Sequence, residues 1–298
     1  MKILVTGSAG RVGRAIHVRL SAAHEVVGLD TTPSSTSELV GDFTDPALLA
    51  RALAGTDAVV HTAALHAPHV PYASEATFRR INVDGTRRLL DAAATAGVRR
   101  IVFTSTTALY GTAATPAGRA GWVDENLPPE PQTIYHRTKL EAERLLEQAA
   151  LQGGPSLRIV RMSRCFPEPV QVMAAFRLHR GIDVRDVAAA HAAAVTHAGA
   201  AAERFVVSGA TPFLPEDAAE LARDAPSVLA RRAPALVSRY AERGWALPAA
   251  IDRVYDPARA IARLGWRPRF GFDEVLAQYD AGVPEVLPYR ADANVARE

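Results

Sequence analysis

The opening strand–turn–helix–strand pattern restricts this chain more than any other feature. An apolar strand pattern, Lys2–Thr6, runs into Gly7-Ser8-Ala9-Gly10-Arg11-Val12-Gly13, and a helical pattern follows over 12–22. A second strand pattern, Glu25–Leu29, then ends against Asp30. Glycines at such a corner let the chain turn tightly, bring backbone N–H groups against a ligand, and pack the helix close to the strand. The helix N-terminus adds unpaired donors and the positive end of its dipole, so the corner suits a pyrophosphate. Asp30 follows Gly7 by 23 residues, where a carboxylate can accept hydrogen bonds from the ribose hydroxyls of a dinucleotide. Gly7, Gly10, Arg11, Val12, Gly13 and Asp30 are therefore candidate coenzyme contacts. The Asp30 carboxylate repels a 2′-phosphate and favours NAD; Arg11 keeps NADP open.

Strand patterns recur at Ala58–Thr62, Arg100–Thr104, Leu157–Arg161 and Arg204–Ser208, separated by helical stretches at 46–54, 75–95, 134–151 and 184–197. This alternation predicts an α/β fold, a Rossmann-type doubly wound parallel sheet with helices on both faces. Asp45-Pro46 and Asp256-Pro257 read as an N-cap followed by proline at the first helical position, and Gly97 and Gly265 as helix stops. Beyond about residue 209 strand signals fade, and Pro212, Pro215, Pro226, Pro234 and Pro248 punctuate short helices. The predicted organisation is an NAD(P)-binding domain over 1–162 plus 184–208 and a small, mostly helical C-terminal substrate lobe over 163–183 plus 209–298. The last dozen residues show no periodicity and are expected to be mobile.

Composition removes several classes of function. Among 298 residues the net charge is +2. Basic residues occur singly or in pairs (Arg79-Arg80, Arg87-Arg88, Arg99-Arg100, Arg231-Arg232), not as a nucleic-acid-binding stripe. The single cysteine, Cys165, cannot form an intramolecular disulfide or a cysteine-based zinc site, and is expected to be a buried small apolar residue. No metal site is predicted. The N-terminal apolar run is too short for a signal-peptide core and no stretch reaches membrane-spanning length, so a soluble, cytoplasmic protein is expected. Of 34 basic residues only Lys2 and Lys139 are lysine. A surviving lysine suggests a need for a compact ammonium whose pKa can shift, a property arginine lacks.

Lys139 lies four residues after Tyr135, at the start of the strong helical pattern 134–151, so both share one helix face. A free phenol has a pKa near 10, too high for a base at neutral pH. A neighbouring ammonium and a cationic nicotinamide both favour phenolate and lower that value. With seven tyrosines and two lysines, about 0.05 such pairs are expected by chance.

Here the sequence resembles the extended short-chain dehydrogenase/reductases, specifically the NAD-dependent epimerase/dehydratase family. The resemblance includes Thr6–Gly13, Gly41-Asp42-Phe43-Thr44-Asp45, His61-Thr62-Ala63-Ala64, Asn82-Val83-Asp84-Gly85-Thr86 and Phe103–Gly111. Tyr255-Asp256-Pro257 and Leu264-Gly265-Trp266-Arg267-Pro268 look like that family's closing helix and turn. The resemblance implies that Asp42 and Phe43 flank the adenine, and that Ala63 and Ala64 let the coenzyme approach the backbone. Asn82 joins the coenzyme contacts, and Lys139 also holds the nicotinamide ribose. It selects Thr106, among several neighbouring threonines, as the hydroxyl that binds the reacting oxygen while Tyr135 passes a proton and hydride moves to or from the nicotinamide. Leu65, His66, Thr107 and Arg164 fall at substrate-side positions.

Two departures narrow the reaction. Family members that dehydrate sugar nucleotides carry an Asp-Glu pair directly after the catalytic threonine; here those positions are Thr107 and Ala108, which speaks against a 4,6-dehydratase. From Arg161–Pro169 the chain also reaches Gly181–Val187 quickly, where sugar-nucleotide epimerases have a longer insertion, and Arg164 stands where they often place asparagine. A smaller, carbohydrate-like hydroxy or keto compound becomes credible. His66 and His69 lie in the loop expected over the nicotinamide, without an obvious third metal ligand. His191, His197, Arg231, Arg232 and Arg253 read as structural or solvated. Helices 75–95 and 134–151 carry Leu89, Leu90, Leu140, Leu145 and Leu146, and the corresponding family helices pair across a two-fold axis, implying a homodimer.

The leading expectation is an NAD-dependent oxidoreductase acting at a secondary alcohol or ketone of a sugar-like substrate, with Thr106, Tyr135 and Lys139 as the catalytic set. A UDP-sugar 4-epimerase and a non-catalytic NAD(P)-binding regulator remain the alternatives.

Overall fold

The computed structural model describes residues 1–293. Its elements run β1 (Lys2–Thr6), α1 (Arg11–Ser21), β2 (Glu25–Asp30), β3 (Leu39–Val40), α2 (Pro46–Leu53), β4 (Ala58–His61), α3 (Glu75–Arg79), α4 (Gly85–Thr95), β5 (Arg100–Thr106), β6 (Gly121–Val123) and α5 (Ile134–Leu151). There follow β7 (Ser156–Met162), α6 (Val170–Phe176), α7 (Val184–Thr196), β8 (Ala202–Val207), α8 (Ala218–Leu221), α9 (Ala225–Arg232), α10 (Pro234–Glu242), β9 (Arg253–Tyr255), α11 (Ala258–Leu264) and α12 (Phe272–Asp280). Seven strands form one parallel sheet in the order β3-β2-β1-β4-β5-β7-β8. The order reverses between β1 and β4, which opens a crevice at their carboxyl ends.

Both sheet faces are covered, which is why the strands read as continuous apolar runs instead of alternating ones. Ile3, Val5, Val60 and Val102 face α1 and α7, where Ile16 and Val187 meet them. Their immediate neighbours Leu4, Val59 and Ile101 point the other way, onto Leu49, Leu89 and Leu146 of α2, α4 and α5. The strand pleat produces this division. Asp45 caps α2 by accepting the Leu48 N–H at 2.9 Å, with Pro46 at the first helical position. Gly97 (φ 75°) and Gly265 (φ 63°) end α4 and α11 in the left-handed region, as the sequence predicts.

The second core joins residues of α6, α8 to α10, β9 and α12, among them Met173, Leu221, Leu229, Leu236, Val254 and Leu276. A two-stranded parallel sheet, β6 with β9, lies beside it. These three-residue strands and the two-residue β3 are too short to leave a period in the sequence. The 75–95 stretch is not one regular helix, because a π-turn at Arg80–Asp84 separates α3 from α4. Helix α11 starts one residue later than predicted, at Ala258, although the Asp256 carboxylate still accepts the Ala258 N–H at 2.9 Å.

The expectation of a mobile tail needs correcting for its first residues. Leu287 pairs with the chain at Glu168–Val170, and the Tyr289 ring stacks on Trp245 with centroids 5.4 Å apart. Just before them, Glu285 forms an ion pair with Arg11. A strap thus runs from the second core to the glycine turn. Residues 294–298 of the predicted mobile segment lie outside the described residues.

Candidate functional site

The glycine turn has the shape a diphosphate requires. Gly7 has φ 73°, and a Cβ there would stand 2.7 Å from the Ala63 nitrogen. A Cβ on Gly13 would lie 2.0 Å from the Gly7 carbonyl oxygen, so helix and strand touch at this point. A Cβ on Gly10 would meet only the Gly7 oxygen, at 3.4 Å, leaving the outer side of the turn open. No side chain caps α1 at Gly10, so its first-turn N–H groups, from Arg11, Val12 and Gly13, are available to an anion. Asp30 ends β2 beside the turn, accepting the Ala9 N–H at 3.0 Å and the Thr32 N–H at 2.8 Å. A carboxylate has about four acceptor positions, so capacity remains for ribose hydroxyls. These residues fit a dinucleotide.

Under the crevice runs a buried chain of neutral hydrogen bonds. Thr86 donates to the Asn82 carbonyl at 2.7 Å, so its oxygen accepts from His61 Nε2 at 3.1 Å. His61 Nδ1 then accepts the Thr6 hydroxyl at 2.7 Å. Burial, with Lys139 adding repulsion, pushes the His61 pKa down to about 3 and keeps the ring neutral. Asn82 uses both amide N–H groups, on the Leu65 carbonyl at 2.9 Å and the Thr138 hydroxyl at 3.1 Å, while its oxygen accepts the Leu65 N–H at 2.8 Å. It therefore clamps the loop beyond β4 and has no donor left for a coenzyme. The π-turn lets its side chain reach this position.

Thr106 ends β5 and Tyr135 lies in the first turn of α5, and the Thr106 side chain is near enough to pull the Tyr135 phenol down. Thr106 Oγ1 also accepts the Ala108 N–H at 3.1 Å. Thr133 caps α5 by accepting the His136 N–H at 3.2 Å, which fixes where Tyr135 starts. One turn on, the Lys139 ammonium is buried, 3.9 Å from the centroid of the Phe103 ring. Burial pushes Tyr135 up to about 12, against the pull of Thr106, and pushes Lys139 down to about 7, against the pull of Glu143. The sequence predicts a phenol lowered by its lysine; in the folded chain desolvation dominates, because the ammonium sits over Phe103 and not against the phenol.

The remaining predicted positions are distributed unevenly. Ala63 and Ala64 follow β4 and are partly accessible beside the turn. Asp42 is exposed and accepts the Thr44 N–H at 2.8 Å, whereas Phe43 is buried with its ring 5.2 Å from that of His61. Phe43 can thus flank a ligand only through its backbone. Leu65 is held by Asn82, and the His66 ring stacks on Phe166 across the mouth of the crevice, with centroids 6.2 Å apart. Arg164 pairs with Glu168 and lies over Phe166. Thr107 is buried. His69 donates its backbone N–H to the His66 carbonyl, within the loop.

Three groups at the site escape a sequence reading: Phe166 opposite His66, Glu285 on Arg11, and a buried network of Glu143, Arg161 and Tyr110. Glu143 alone left a signal, being one helical turn beyond Lys139. Cys165 is buried, its thiol pushed up to about 11 by desolvation. His191 and His197 hold structure, on Thr104 and Glu203 respectively. Leu89, Leu90, Leu140 and Leu146 are buried within this chain, so they do not form the partner-facing surface for which the sequence selected them. Among the described residues no group of three or more His, Cys, Asp or Glu is placed to hold a metal, and no helix is long and apolar enough to cross a membrane.

The family described as NAD dependent epimerase/dehydratase matches residues 3–171. An N-acetyl-alpha-D-glucosaminyl-diphospho-ditrans,octacis-undecaprenol 4-epimerase of Escherichia coli O157:H7 is 34% identical over 171 residues, 56% of this chain and 49% of that protein. An NAD-dependent glucose-6-phosphate dehydrogenase of Haloferax volcanii is 34% identical over 119 residues, 37% of this chain and 44% of that protein. The chain spans about half or less of the length of the curated relatives it matches. Among solved structures, a short-chain dehydrogenase/reductase superfamily protein from Agrobacterium tumefaciens with bound NAD superposes with a TM-score of 0.72 at 25% identity, covering 94% of this chain and 96% of that one.

Proposed function

The chain belongs to the NAD dependent epimerase/dehydratase family, and from that premise we propose that it oxidises or reduces a secondary alcohol or ketone of a sugar-like substrate. The observation that carries this reading is the placement of Thr106 at the carboxyl end of β5 beside Tyr135 in the first turn of α5, with Lys139 buried one turn below. NAD, when bound, supplies the hydride acceptor and a positive ring charge that favours phenolate at Tyr135. The first-turn N–H groups of α1 hold the diphosphate, and Asp30 takes the adenosine ribose and disfavours a 2′-phosphate. Asp42, the Phe43 backbone, Ala63 and Ala64 line the rest of that groove, Asn82 fixes its loop, and Lys139 holds the nicotinamide ribose.

In the oxidation direction Tyr135 Oη takes the substrate hydroxyl proton as the adjacent C–H leaves as hydride, and the Thr106 hydroxyl holds the same oxygen. In reduction Tyr135 returns the proton to the new alkoxide. Leu65, His66, Phe166 and Arg164 border the substrate, with residues 163–183 plus 209–298 as its lobe. Arg164 is already paired with Glu168, which favours a neutral hydroxyl-bearing compound over a strongly anionic one at that position.

A 4-epimerase acting on a diphosphate-linked sugar is the second reading, favoured by the Escherichia coli relative and opposed by the short connection from Met162 to Val184. A non-catalytic NAD(P)-binding regulator is the reading from another class; the presence of Tyr135 with Lys139 argues against it. The protein is taken to act in the cytoplasm as a homodimer, and a monomeric mass at micromolar concentration would remove the latter claim.

The test combines coenzyme binding with a screen of sugar-derived alcohols for NADH formation. Binding of NAD in preference to NADP, stoichiometric NADH, and its loss in Tyr135→Phe are the expected results. Coenzyme that stays bound and unconsumed during turnover points to epimerisation. Full activity in Tyr135→Phe overturns the mechanism.

A further inference from the structure

We propose that Glu143 and Arg161 are positioning residues for Lys139: Glu143 is the counter-charge of its ammonium, and the buried Arg161 guanidinium fixes where that carboxylate stands. The inference rests on the reading of Tyr135 and Lys139 given above.

The surroundings of Lys139 single out Glu143. From β5 the Phe103 ring lies under the ammonium. From β4 and the loop beyond it His61 and His66 face it, both held towards the neutral form by burial. On its own helix Tyr135 presents a protonated phenol. Glu143 is buried like Lys139 and stands four residues along α5, on the same helix face, so its carboxylate pulls the ammonium up through space without an ion-pair contact.

Glu143 is not free to approach the lysine. Its oxygens accept Arg161 Nε at 3.0 and 3.2 Å and Arg161 Nη2 at 2.6 Å. Both side chains are about 2% exposed. The guanidinium fixes the plane of the carboxylate and offsets part of its charge, so Lys139 experiences a stationary, weakened anion, and desolvation prevails.

The same guanidinium reaches the other half of the site. Arg161 Nη1 donates to Tyr110 Oη at 2.9 Å, and Tyr110 donates to the Asp124 carbonyl at 2.7 Å. Tyr110 closes the short 3-10 turn Thr107–Tyr110 that begins at Thr106. One buried side chain thus registers the helix bearing Tyr135 and Lys139 against the turn bearing Thr106. A buried ion pair is by itself a poor source of net stability; registering these elements gives it another role.

The chain has only two lysines, Lys2 and Lys139, which makes the test direct. Lysine-selective isotope labelling of the full-length protein yields two side-chain NMR titrations, assigned with Lys2→Arg and followed with and without saturating NAD+. Glu143→Gln is expected to move the Lys139 titration down by about one unit, and Arg161→Gln to move it up by a similar amount. Opposite shifts from two partners of one ion pair are not produced by a merely structural role. If Arg161→Gln does not fold, Arg161→Lys keeps the cation, loosens the fork, and is expected to give a smaller upward shift. Folded, NAD-binding variants at both positions with Lys139 titrating as in the parent protein would overturn the proposal. Tyr135→Phe separates the two levels: its full activity defeats the underlying mechanism, whereas its inactivity beside an unmoved Lys139 titration defeats only the role of Glu143 and Arg161.

Discussion

Asn82 donates to the Thr138 hydroxyl across 3.1 Å of buried space, and through that bond the π-turn holds the first turns of α5. Thr138 lies between Tyr135 and Lys139 in the sequence. Because the same amide grips both backbone groups of Leu65, one side chain sets the loop bearing His66 and the helix bearing Tyr135 in register.

Asn82→Ala leaves the Leu65 N–H and C=O and the Thr138 hydroxyl without this partner. Thr138 keeps its bonds to the Ile134 and Tyr135 carbonyls, so the two Leu65 groups are the ones stranded; at about 1–3 kcal/mol each, a loss of about 2–6 kcal/mol is expected in urea unfolding. Asn82→Asp, which removes both donors and buries a charge, is expected to be no better. A loss within measurement error in both variants would show that the clamp is dispensable.

The glycine turn separates stability from coenzyme binding. Gly13→Ala drives a methyl into the Gly7 carbonyl, at 2.0 Å, and is expected to destabilise the free protein by about 1–3 kcal/mol or more. Gly10→Ala meets only an ordinary contact at 3.4 Å. Its unfolding free energy should stay within about 0.5 kcal/mol of the parent, while NADH affinity, read from fluorescence, falls at least about tenfold as the methyl occupies the diphosphate side. The reverse ranking of the two variants would contradict the placement.

Stability is expected to decline well above the carboxylate range on acidification. Burial pushes His61 and His179 down to about 3 and His191 to about 4, from an ordinary value of 6.5. Between these values the unfolded chain binds more protons than the folded one. Stability is therefore full above pH 6.5 and is lost as pH falls, by up to about 1.4 kcal/mol per pH unit for each histidine. Chemical denaturation at a series of pH values measures the slope, and His61→Gln is expected to flatten it by one such increment. An unchanged slope in that variant would mean that His61 takes up its proton in the folded state.

The Thr106 hydroxyl accepts the Ala108 N–H and lies beside Tyr135, whose phenol it pulls down. Thr106→Ser retains the hydroxyl and is expected to keep most of the activity. Thr106→Val retains the shape, loses the hydroxyl, and is expected to lower turnover by about 10- to 100-fold with NAD affinity unchanged. Equal activity in the two variants would assign Thr106 to the turn alone.

Much of this arrangement is legible in the chain because it depends on local rules. A parallel sheet buried on both faces writes apolar runs, and a diphosphate turn writes glycines. A tyrosine and a lysine one helical turn apart need no tertiary information. What stayed hidden depends on approach between distant segments. Nothing in the sequence near Asn82 announces that its amide turns toward Leu65 through a π-turn, and β6 and β9 become a sheet only by meeting each other. The pKa of Tyr135 also follows from three-dimensional burial, which overrides the spacing argument. The leucines of α4 and α5 satisfy their own core, a choice that periodicity cannot distinguish from a partner surface.

Arg11 and Glu285 fasten the final described stretch of the polypeptide to its first turn. Both side chains are partly exposed, so this fastening weakens as salt rises, and nicking by a protease near Val283 is expected to quicken at high ionic strength.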